Sequence, residues 1–329
     1  WSPDGQWIAF SMLVKHTAPV VAKLPKKPKG AEWADPPILI ERLKYRSDGS
    51  GDLPHGFNHL FVLPVEGGTS RQVTSGSFHH KNAPAWTPDG KALIFSGNRN
   101  PDWEHEYHNS EIYEVSLDDG TIKALTSHKG PDSDPTVSPD GNTIAYLSFD
   151  DRIQTYQVTH LCLMNRDGSN PRVLTADLDR DADSPVWAKG GSGIYFQYDD
   201  QGNTKIAFTD LDGKVRLIAD SLGGRSLGRP YGGGTFSLGT QGLAYTRTRP
   251  DHPADVAIAK AGGATKEITH LNRDLLDHRK LGRVEEIRYT SSFDKREIQG
   301  WVVTPPDFDP SVKYPLILEI HGGPIHHYG

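Results

Sequence analysis

The sequence is poor in cysteine and in long apolar runs. Cys162 is the only cysteine among 329 residues. One cysteine can form neither an intramolecular disulfide nor a cluster of thiolate metal ligands. The longest apolar candidate, residues 315–320, falls far short of the ~20 residues that a transmembrane helix needs. We therefore expect no membrane span.

Positive charge is also scarce. The chain has 36 Lys and Arg against 42 Asp and Glu, for a formal net charge of -6. Nucleic-acid binding needs a clustered cationic surface, and the one basic run, residues 23–29, is short and broken by proline. We interpret that run as a solvated loop and expect no nucleic-acid partner. The 34 Gly and 24 Pro instead indicate a turn-rich chain of short strands.

A turn motif recurs with a period of about 50 residues. Residues 1–5, 86–90 and 137–141 read WSPDG, WTPDG and VSPDG, and decayed copies stand at 187–191 and 236–240. Proline sets the first corner of such a turn, aspartate binds backbone amides, and glycine takes the left-handed position. An apolar run of strand type follows each of the three intact turns.

Each repeat contains a second hairpin, as in residues 112–126, where two apolar runs flank Asp118-Asp119-Gly120. Four short antiparallel strands per repeat predict the blades of an all-β propeller of the TolB or WD40 type. About five blades are expected over residues 1–276, and the first lacks the start of its innermost strand. Because rings of this kind commonly close with more blades, we expect further blades to precede residue 1.

The connections between the second and third strands are the long ones. They cover about residues 14–57, 98–109 and 150–157. Because strands alternate in direction, these connections share the face opposite the tight turns. Insertions confined to one face indicate the binding face, although loops without a function are the alternative.

The pattern changes after about Asp277. Residues 284–289, 298–303 and 315–320 are predicted as strands, and the last runs into His321-Gly322-Gly323-Pro324. In an α/β-hydrolase, glycines at such a strand end let the backbone approach the substrate and turn an N–H toward the developing oxyanion. We therefore predict that residues 277–329 begin a truncated α/β-hydrolase domain.

These segments together resemble the prolyl oligopeptidase family of serine peptidases, and most closely its acylaminoacyl-peptidase and dipeptidyl-peptidase-like bacterial branch. The resemblance covers nearly the whole chain. Its motifs are the Pro-Asp-Gly turns and the segments RSDG (46–49), PDWE (101–104), EEI (285–287), IQGWVV (298–303) and YPLILEIHGGP (314–324).

The resemblance implies a serine-type peptidase that hydrolyses short peptides through an acyl-enzyme, with the propeller gating access. It assigns one oxyanion donor to the main-chain N–H of Gly323 and no cofactor or metal. The catalytic Ser, Asp and His are expected beyond residue 329, so the chain by itself should be inactive. A non-catalytic protein-binding propeller and an esterase are the alternatives. Dipeptidyl, aminoacyl or acylaminoacyl specificity, a homo-oligomeric state, and a periplasmic or cytoplasmic location in a bacterium all stay open.

Acidic side chains on the predicted binding face are candidates for substrate binding. Asp102, Glu104 and Glu106 lie in the second long connection. A peptidase that trims from the amino terminus needs a carboxylate for the substrate ammonium, and such a pair is strong where it is partly desolvated. We assign Glu104 and Glu106 to this role, with a solvated acidic loop as the alternative.

Two further patterns are interpreted as non-functional. Residues 224–228 match the G-x-S-x-G pattern of a nucleophile elbow. A true elbow lies between a buried strand and a helix, but the residues that follow here, up to Gly232–Gly234, cannot form a helix. Ser226 is therefore predicted to be a loop residue. Six histidines in local clusters lack the spacing of a metal site and are predicted to be surface loop residues: His79, His80, His105, His108, His326 and His327.

Overall fold

The computed structural model describes residues 1–16, 25–34, 38–80, 83–224, 232–240, 242–260 and 264–323. Within these ranges the chain forms antiparallel β-sheets and one short helix. The first sheet has the order β1-β4-β5, while β2 and β3 pair as a small hairpin inside the connection from β1 to β4. These strands are β1 (Trp7–Lys15), β2 (Arg46–Ser47), β3 (Gly51–Asp52), β4 (Gly56–Pro64) and β5 (Arg71–Gln72).

Two four-stranded sheets follow, with the orders β6-β7-β8-β9 and β10-β11-β12-β13. Consecutive strands are neighbours, as the sequence pattern of blades predicts. The strands are β6 (Ala85–Trp86), β7 (Ala92–Gly97), β8 (Glu111–Ser116), β9 (Ile122–Ala124), β10 (Asp132–Val137), β11 (Thr143–Ser148), β12 (His160–Asn165) and β13 (Arg172–Val173).

The next eight strands form one sheet with the order β14-β15-β16-β17-β19-β20-β21, in which β18 also pairs with β19. It consists of two sets of four strands joined by the single pair Leu222 and Arg247. The strands are β14 (Asp183–Trp187), β15 (Gly193–Asp200), β16 (Asn203–Asp210), β17 (Val215–Leu222), β18 (Phe236–Leu238), β19 (Leu243–Arg249), β20 (His252–Ala259) and β21 (Thr265–Glu267). The all-β fold of blades is thereby confirmed.

The chain divides into two compact units. One contains Trp1–Arg152 and Cys162–Arg172, and the other contains Ile153–Leu161 and Val173–Gly329. The predicted division between propeller and hydrolase at residues 276 and 277 stays a prediction.

A hydroxyl group closes each intact Pro-Asp-Gly turn. At the second position of the motif it donates to the aspartate at 2.5 to 2.6 Å, and the glycine has φ of 69° to 78°. These hydrogen bonds lower the pKa of the aspartates, because they favour the charged carboxylate. The aspartates also accept backbone N–H groups, as predicted, so the turn chemistry is confirmed. The hydroxyl group at the second position is a further feature that all three turns share. The three pairs are Ser2 and Asp4, Thr87 and Asp89, and Ser138 and Asp140.

Strand β7 shows how the blades pack. Leu93 and Phe95 contact a buried cluster with Leu60 and Val115, whereas Ile94 contacts a second cluster that contains Ile144. Successive side chains of a strand point to opposite faces, so both faces of β7 are buried. The continuous apolar run of β7 follows from this double burial, as for any strand that is covered on both sides.

The segment after β21 contains the helix α1 (Arg273–Leu276) and the paired strands β22 (Val284–Thr290) and β23 (Glu297–Val303). These two strands match the predicted ones. The third predicted strand, residues 315–320, is wrong, because the structure has no strand there. Leu316, Ile317 and Leu318 are 86%, 92% and 76% exposed. An apolar run becomes a strand only when a neighbouring strand takes its N–H and C=O groups, and the described residues provide none.

In the described ranges, the only helix is far too short to cross a bilayer.

Candidate functional site

The three long connections are found where the sequence predicts them. β1 ends at Lys15 and β4 begins at Gly56, β7 ends at Gly97 and β8 begins at Glu111, and β11 ends at Ser148 and β12 begins at His160. By contrast, only Gln201 and Gly202 join β15 to β16. The first two long connections contact each other within the first unit, and these contacts build the site.

Trp103, in the second connection, lies against the ring of Phe57 in β4 and that of His79 in the connection from β5 to β6. Its ring centroid is 6.2 Å from that of Phe57 and 5.7 Å from that of His79, both edge-on. Arg42 of the first connection covers Phe57 at 4.2 Å and donates from Nη1 to the Gly56 carbonyl at 2.9 Å. A pocket of about 240 Å³ lies beside Trp103, with an apolar wall that includes Leu13, Ile38, Leu39, Tyr45 and Leu53.

The two predicted substrate-binding carboxylates have different surroundings. Glu104 is half-buried, and its Oε1 accepts a hydrogen bond from the Leu43 N–H at 3.2 Å, beside the pocket residues 42 and 44. Glu106 is exposed, and its Oε2 accepts from Nδ2 of Asn100 at 2.6 Å and of Asn109 at 3.3 Å. The structure therefore places Glu104 next to the pocket without making it a lining residue, whereas Glu106 orders its own loop.

Asp102, the third acidic residue of this loop, is also used locally. Its Oδ1 lies 2.6 Å from Nδ1 of His105, and both side chains are largely exposed. His105 and His108 are exposed, as predicted, whereas His326 and His327 lie outside the described residues.

The prediction that His80 is a surface residue is wrong, because this side chain is fully buried. Its Nε2 lies 3.0 Å from Nη1 of Arg99, and its Nδ1 lies 3.2 Å from Oγ1 of Thr74. Burial, assisted by the Arg99 charge, lowers the pKa of His80 to about 3. His79 is half-buried, which also differs from the predicted surface position.

The first two sheets repeat one buried arrangement. In each, a fully buried apolar residue of the next-to-last strand donates its N–H to a threonine Oγ1 at 2.9 Å, Leu60 of β4 to Thr74 and Ile112 of β8 to Thr126. Six residues after each threonine, a backbone N–H donates to the carbonyl of the residue two positions before that apolar residue: His80 to Asn58 at 2.9 Å, and Asp132 to Ser110 at 2.7 Å. The positions of His59 and His80 thus correspond to those of Glu111 and Asp132.

Glu111, His128 and Asp132 form a cluster that sequence reasoning missed. One ligand atom from each lies within 4.8 Å of the others. Burial raises the pKa of Glu111 to about 7, and interaction with the Asp132 carboxylate raises the pKa of His128 to about 9. Glu111 begins β8, His128 lies in the β9–β10 connection and Asp132 begins β10. No short sequence motif therefore contains all three residues and predicts the cluster. The one sequence signal was the six-residue interval from Thr126 to Asp132, which repeats the interval from Thr74 to His80 and marks Asp132 as an equivalent position.

The proposed oxyanion residue lies in the carboxyl-terminal segment. Gly323 has φ of 139°, a backbone conformation that residues other than glycine rarely adopt. It is exposed. Pro324 and Ser226 both lie outside the described residues.

The blades and the long connections define a β-propeller protein with a pocket-bearing loop face. The TolB β-propeller domain family (PD40) matches residues 52–223. Since this match covers more than half of the chain, the chain belongs to that family.

Curated relatives extend the similarity beyond the propeller. The chain is 29% identical to YuxL of Bacillus subtilis, described as an uncharacterized peptidase, over 100% of this chain and 50% of YuxL. It is 28% identical to dipeptidyl-peptidase 5 of Porphyromonas gingivalis over 73% of this chain and 34% of that protein. The chain thus spans half or less of the length of these relatives. Their descriptions confirm the resemblance to the propeller region of prolyl oligopeptidase-family peptidases.

A solved structure has the same fold. An acylaminoacyl peptidase in complex with Z-Gly-Gly-Phe-chloromethyl ketone matches 100% of this chain and 46% of its own, with a TM-score of 0.73 and 16% identity. The acylaminoacyl peptidase of Pyrococcus horikoshii matches 93% of this chain and 43% of its own, with a TM-score of 0.66 and 16% identity.

Proposed function

We propose that this chain is the propeller-bearing part of a serine-type peptidase that hydrolyses short peptides through an acyl-enzyme. The observation that carries the proposal is the relationship to YuxL over 100% of the chain, including the segment after the blades. A propeller that only scaffolds other proteins has no use for the paired strands β22 and β23 followed by His321-Gly322-Gly323.

In this proposal the main-chain N–H of Gly323 donates to the oxyanion of the tetrahedral intermediate. Such a donor acts because it is already oriented where negative charge develops in the transition state. A glycine suits that position, since the backbone must approach the reacting carbonyl without a Cβ in the way. The nucleophile, its base and the orienting acid are assigned to no residue of this chain.

The propeller is proposed to select short peptides and to hold their amino terminus. The pocket beside Trp103 offers an apolar wall, and Glu104 at its margin supplies a half-buried carboxylate for a substrate ammonium. One Glu104 oxygen accepts the Leu43 N–H, and this bond would orient the carboxylate. Glu106 supports the loop through Asn100 and Asn109, and it is the second candidate for the ammonium.

Pre-steady-state kinetics of the full-length protein test the acyl-enzyme. With a chromogenic peptide ester, we expect a burst of product about equal to the enzyme concentration, followed by slower turnover. A burst requires deacylation to be slower than acylation, so activated esters are the substrates of choice. The absence of both a burst with these esters and a covalent acyl adduct detectable by mass spectrometry, under conditions where hydrolysis is measurable, would contradict the covalent mechanism. Gating is tested in the same preparation, because short peptides should be cleaved whereas an intact folded protein should not.

A further inference from the structure

Asp132 is placed where a carboxylate is costly. The residue is fully buried, and neither of its carboxylate oxygens accepts a hydrogen bond of good geometry from the described part of the chain. Oδ2 lies 3.4 Å from Nδ1 of His128. A buried charge without well-placed donors is unfavourable unless a cation compensates it, and either a protonated His128 or a bound metal ion can do so.

The backbone of Asp132 is, by contrast, fully engaged. Its N–H donates to the Ser110 carbonyl at 2.7 Å, and its carbonyl accepts from the hydroxyls of Ser96 at 2.6 Å and Ser110 at 3.0 Å. These bonds fix where the side chain begins, and the carboxylate extends toward Glu111 and His128.

The first sheet provides a comparison, because the position that corresponds to Asp132 is occupied there by a residue whose polar atoms are satisfied within the protein. There the corresponding residue is His80, and both of its ring nitrogens have partners, Thr74 and Arg99. In the second sheet the corresponding pair is the half-buried Glu111 and the buried Asp132, two carboxylates in one cluster. Like charges at such a site repel, so packing does not account for the exchange.

We propose that Glu111, His128 and Asp132 bind a divalent transition-metal ion such as Zn²⁺ or Mn²⁺. One imidazole and two carboxylates are a ligand set for these ions, with water completing the coordination. The ligand atoms lie within 4.8 Å of one another. Ligand atoms about 2.1 Å from a tetrahedral ion are about 3.4 Å apart, so the cluster must contract by up to about 1.4 Å when the ion binds. The His128 side chain, 33% exposed, has room for that movement.

Neighbouring groups would orient two of the ligands. Nε2 of His128 lies 3.2 Å from the Ser148 hydroxyl and 3.9 Å from a carboxylate oxygen of Asp150. If Nδ1 binds the ion, the Nε2–H can donate to these oxygens, which is the usual support of a metal-bound histidine. Oε2 of Glu111 accepts from the Thr126 hydroxyl at 2.5 Å, which leaves its other oxygen for the ion.

The ion would connect the base of the second long connection to the β9–β10 segment. A protein contact already follows this route, since Asn109 donates from Nδ2 to Glu106 and accepts at Oδ1 from the Gly130 N–H at 3.3 Å. Metal binding would therefore rigidify the loop that holds Glu104 and Glu106. This inference stands whether or not the protein is a peptidase.

Direct binding and thermal stability test the site in the 329-residue chain after chelation and dialysis. We expect about one Zn²⁺ or Mn²⁺ per chain by calorimetry, and a rise in Tm of about 5 °C at a free concentration near 100 times the Kd. Mg²⁺ and Ca²⁺ should do neither, because imidazole favours transition metals. Equal responses to Mg²⁺ and Zn²⁺ would overturn the assigned class of ion.

Three single substitutions assign the ligands: Glu111→Gln, His128→Gln and Asp132→Asn. Each should weaken Zn²⁺ binding by at least about 10-fold and remove most of the Tm shift, whereas Asp118→Asn, in an exposed turn, should change neither. His128→Gln keeps the test decisive if the buried Asp132→Asn variant fails to fold. Unchanged binding in His128→Gln and Glu111→Gln, or no binding to the unsubstituted chain, would overturn the site.

Discussion

Nη1 of Arg99 lies 3.0 Å from Nε2 of the buried His80. A guanidinium can only donate, so Nε2 must accept, and the single ring proton is held on Nδ1, 3.2 Å from the Thr74 hydroxyl. Arg99 itself lies over the rings of Phe78 at 5.0 Å and Tyr113 at 5.7 Å. His80 is therefore a buried neutral histidine beside a fixed cation.

This arrangement predicts a pH dependence of stability. The pKa of His80 is lowered to about 3 in the folded chain, whereas an unfolded histidine titrates near 6.5. Between these values the unfolded state binds the additional proton, so stability should fall as the pH falls. For one proton the slope is at most about 1.4 kcal/mol per pH unit.

Urea unfolding of the chain and of His80→Gln between about pH 7 and pH 5 measures this contribution. The unsubstituted chain should lose more stability over that interval than the variant, because the remaining titrating groups are common to both. Equal losses would show that His80 is not held neutral.

A second prediction concerns the threonine that recurs in the blades. Oγ1 of Thr175 accepts the Leu161 N–H at 3.0 Å, and Thr269 accepts the Val256 N–H at 2.8 Å, as Thr74 and Thr126 do in the first two sheets. Thr175→Val leaves the N–H of a buried residue without its acceptor at nearly constant volume. We expect a loss of about 1 to 3 kcal/mol in the free energy of unfolding.

Thr69→Val is the matched control, because Thr69 is exposed in the turn between β4 and β5. It should change stability by less than about 0.5 kcal/mol. If the two variants unfold at the same urea concentration, the repeated threonine is not a structural element of the blade.

The blades could be predicted from sequence because their turns are local. Pro, Asp and Gly in consecutive positions specify a turn by themselves, and alternating or apolar runs specify the strands beside it. The prediction of a third strand at residues 315–320 was wrong because it used the local composition of that segment alone. Its composition is that of a buried strand, but whether a strand forms depends on a neighbour elsewhere in the chain.

The candidate site was predicted only in part. The long connection and Glu104 could be identified from the blade period and from residue type. Glu111 and His128 could not, since they meet only after β8 and β10 have packed, and the buried place of His80 depends on Arg99, 19 residues away. Side-chain clusters of this kind arise from tertiary contacts, which cannot be predicted from the repeat pattern of the sequence.

A third prediction tests the domain boundary. Residues 1–276 alone should be more soluble than residues 1–329, because the longer chain carries Leu316, Ile317 and Leu318 at 86%, 92% and 76% exposure. Replacing these three residues by serine in the longer chain is the matched control and should give a similar gain. Soluble fraction and light scattering provide the measurement. An equally soluble and monomeric longer chain would count against both the boundary and the role given to the apolar run.

A fourth prediction concerns Glu104 in the full-length protein. Glu104→Gln should lower kcat/KM for peptides with a free amino terminus by roughly 30-fold to 1000-fold, equivalent to about 2 to 4 kcal/mol. The loss should largely vanish with acetylated peptides, which have no ammonium. Glu106→Gln should have the smaller effect, since two asparagines already hold that carboxylate.

Glu66→Gln, in an exposed turn, removes a charge without touching the loop and should leave both substrate types unaffected. If Glu104→Gln and Glu106→Gln change the rates for free and acetylated peptides equally, neither carboxylate recognises the amino terminus.

The most direct test of the peptidase function is the hydrolysis of chromogenic dipeptide amides by the full-length protein during titration with a serine-directed phosphonate. We predict measurable amide hydrolysis that declines in proportion to covalent labelling and reaches zero at about one label per chain. Hydrolysis of simple esters alone, the absence of any amide turnover, or turnover that persists in the fully labelled protein would contradict the account.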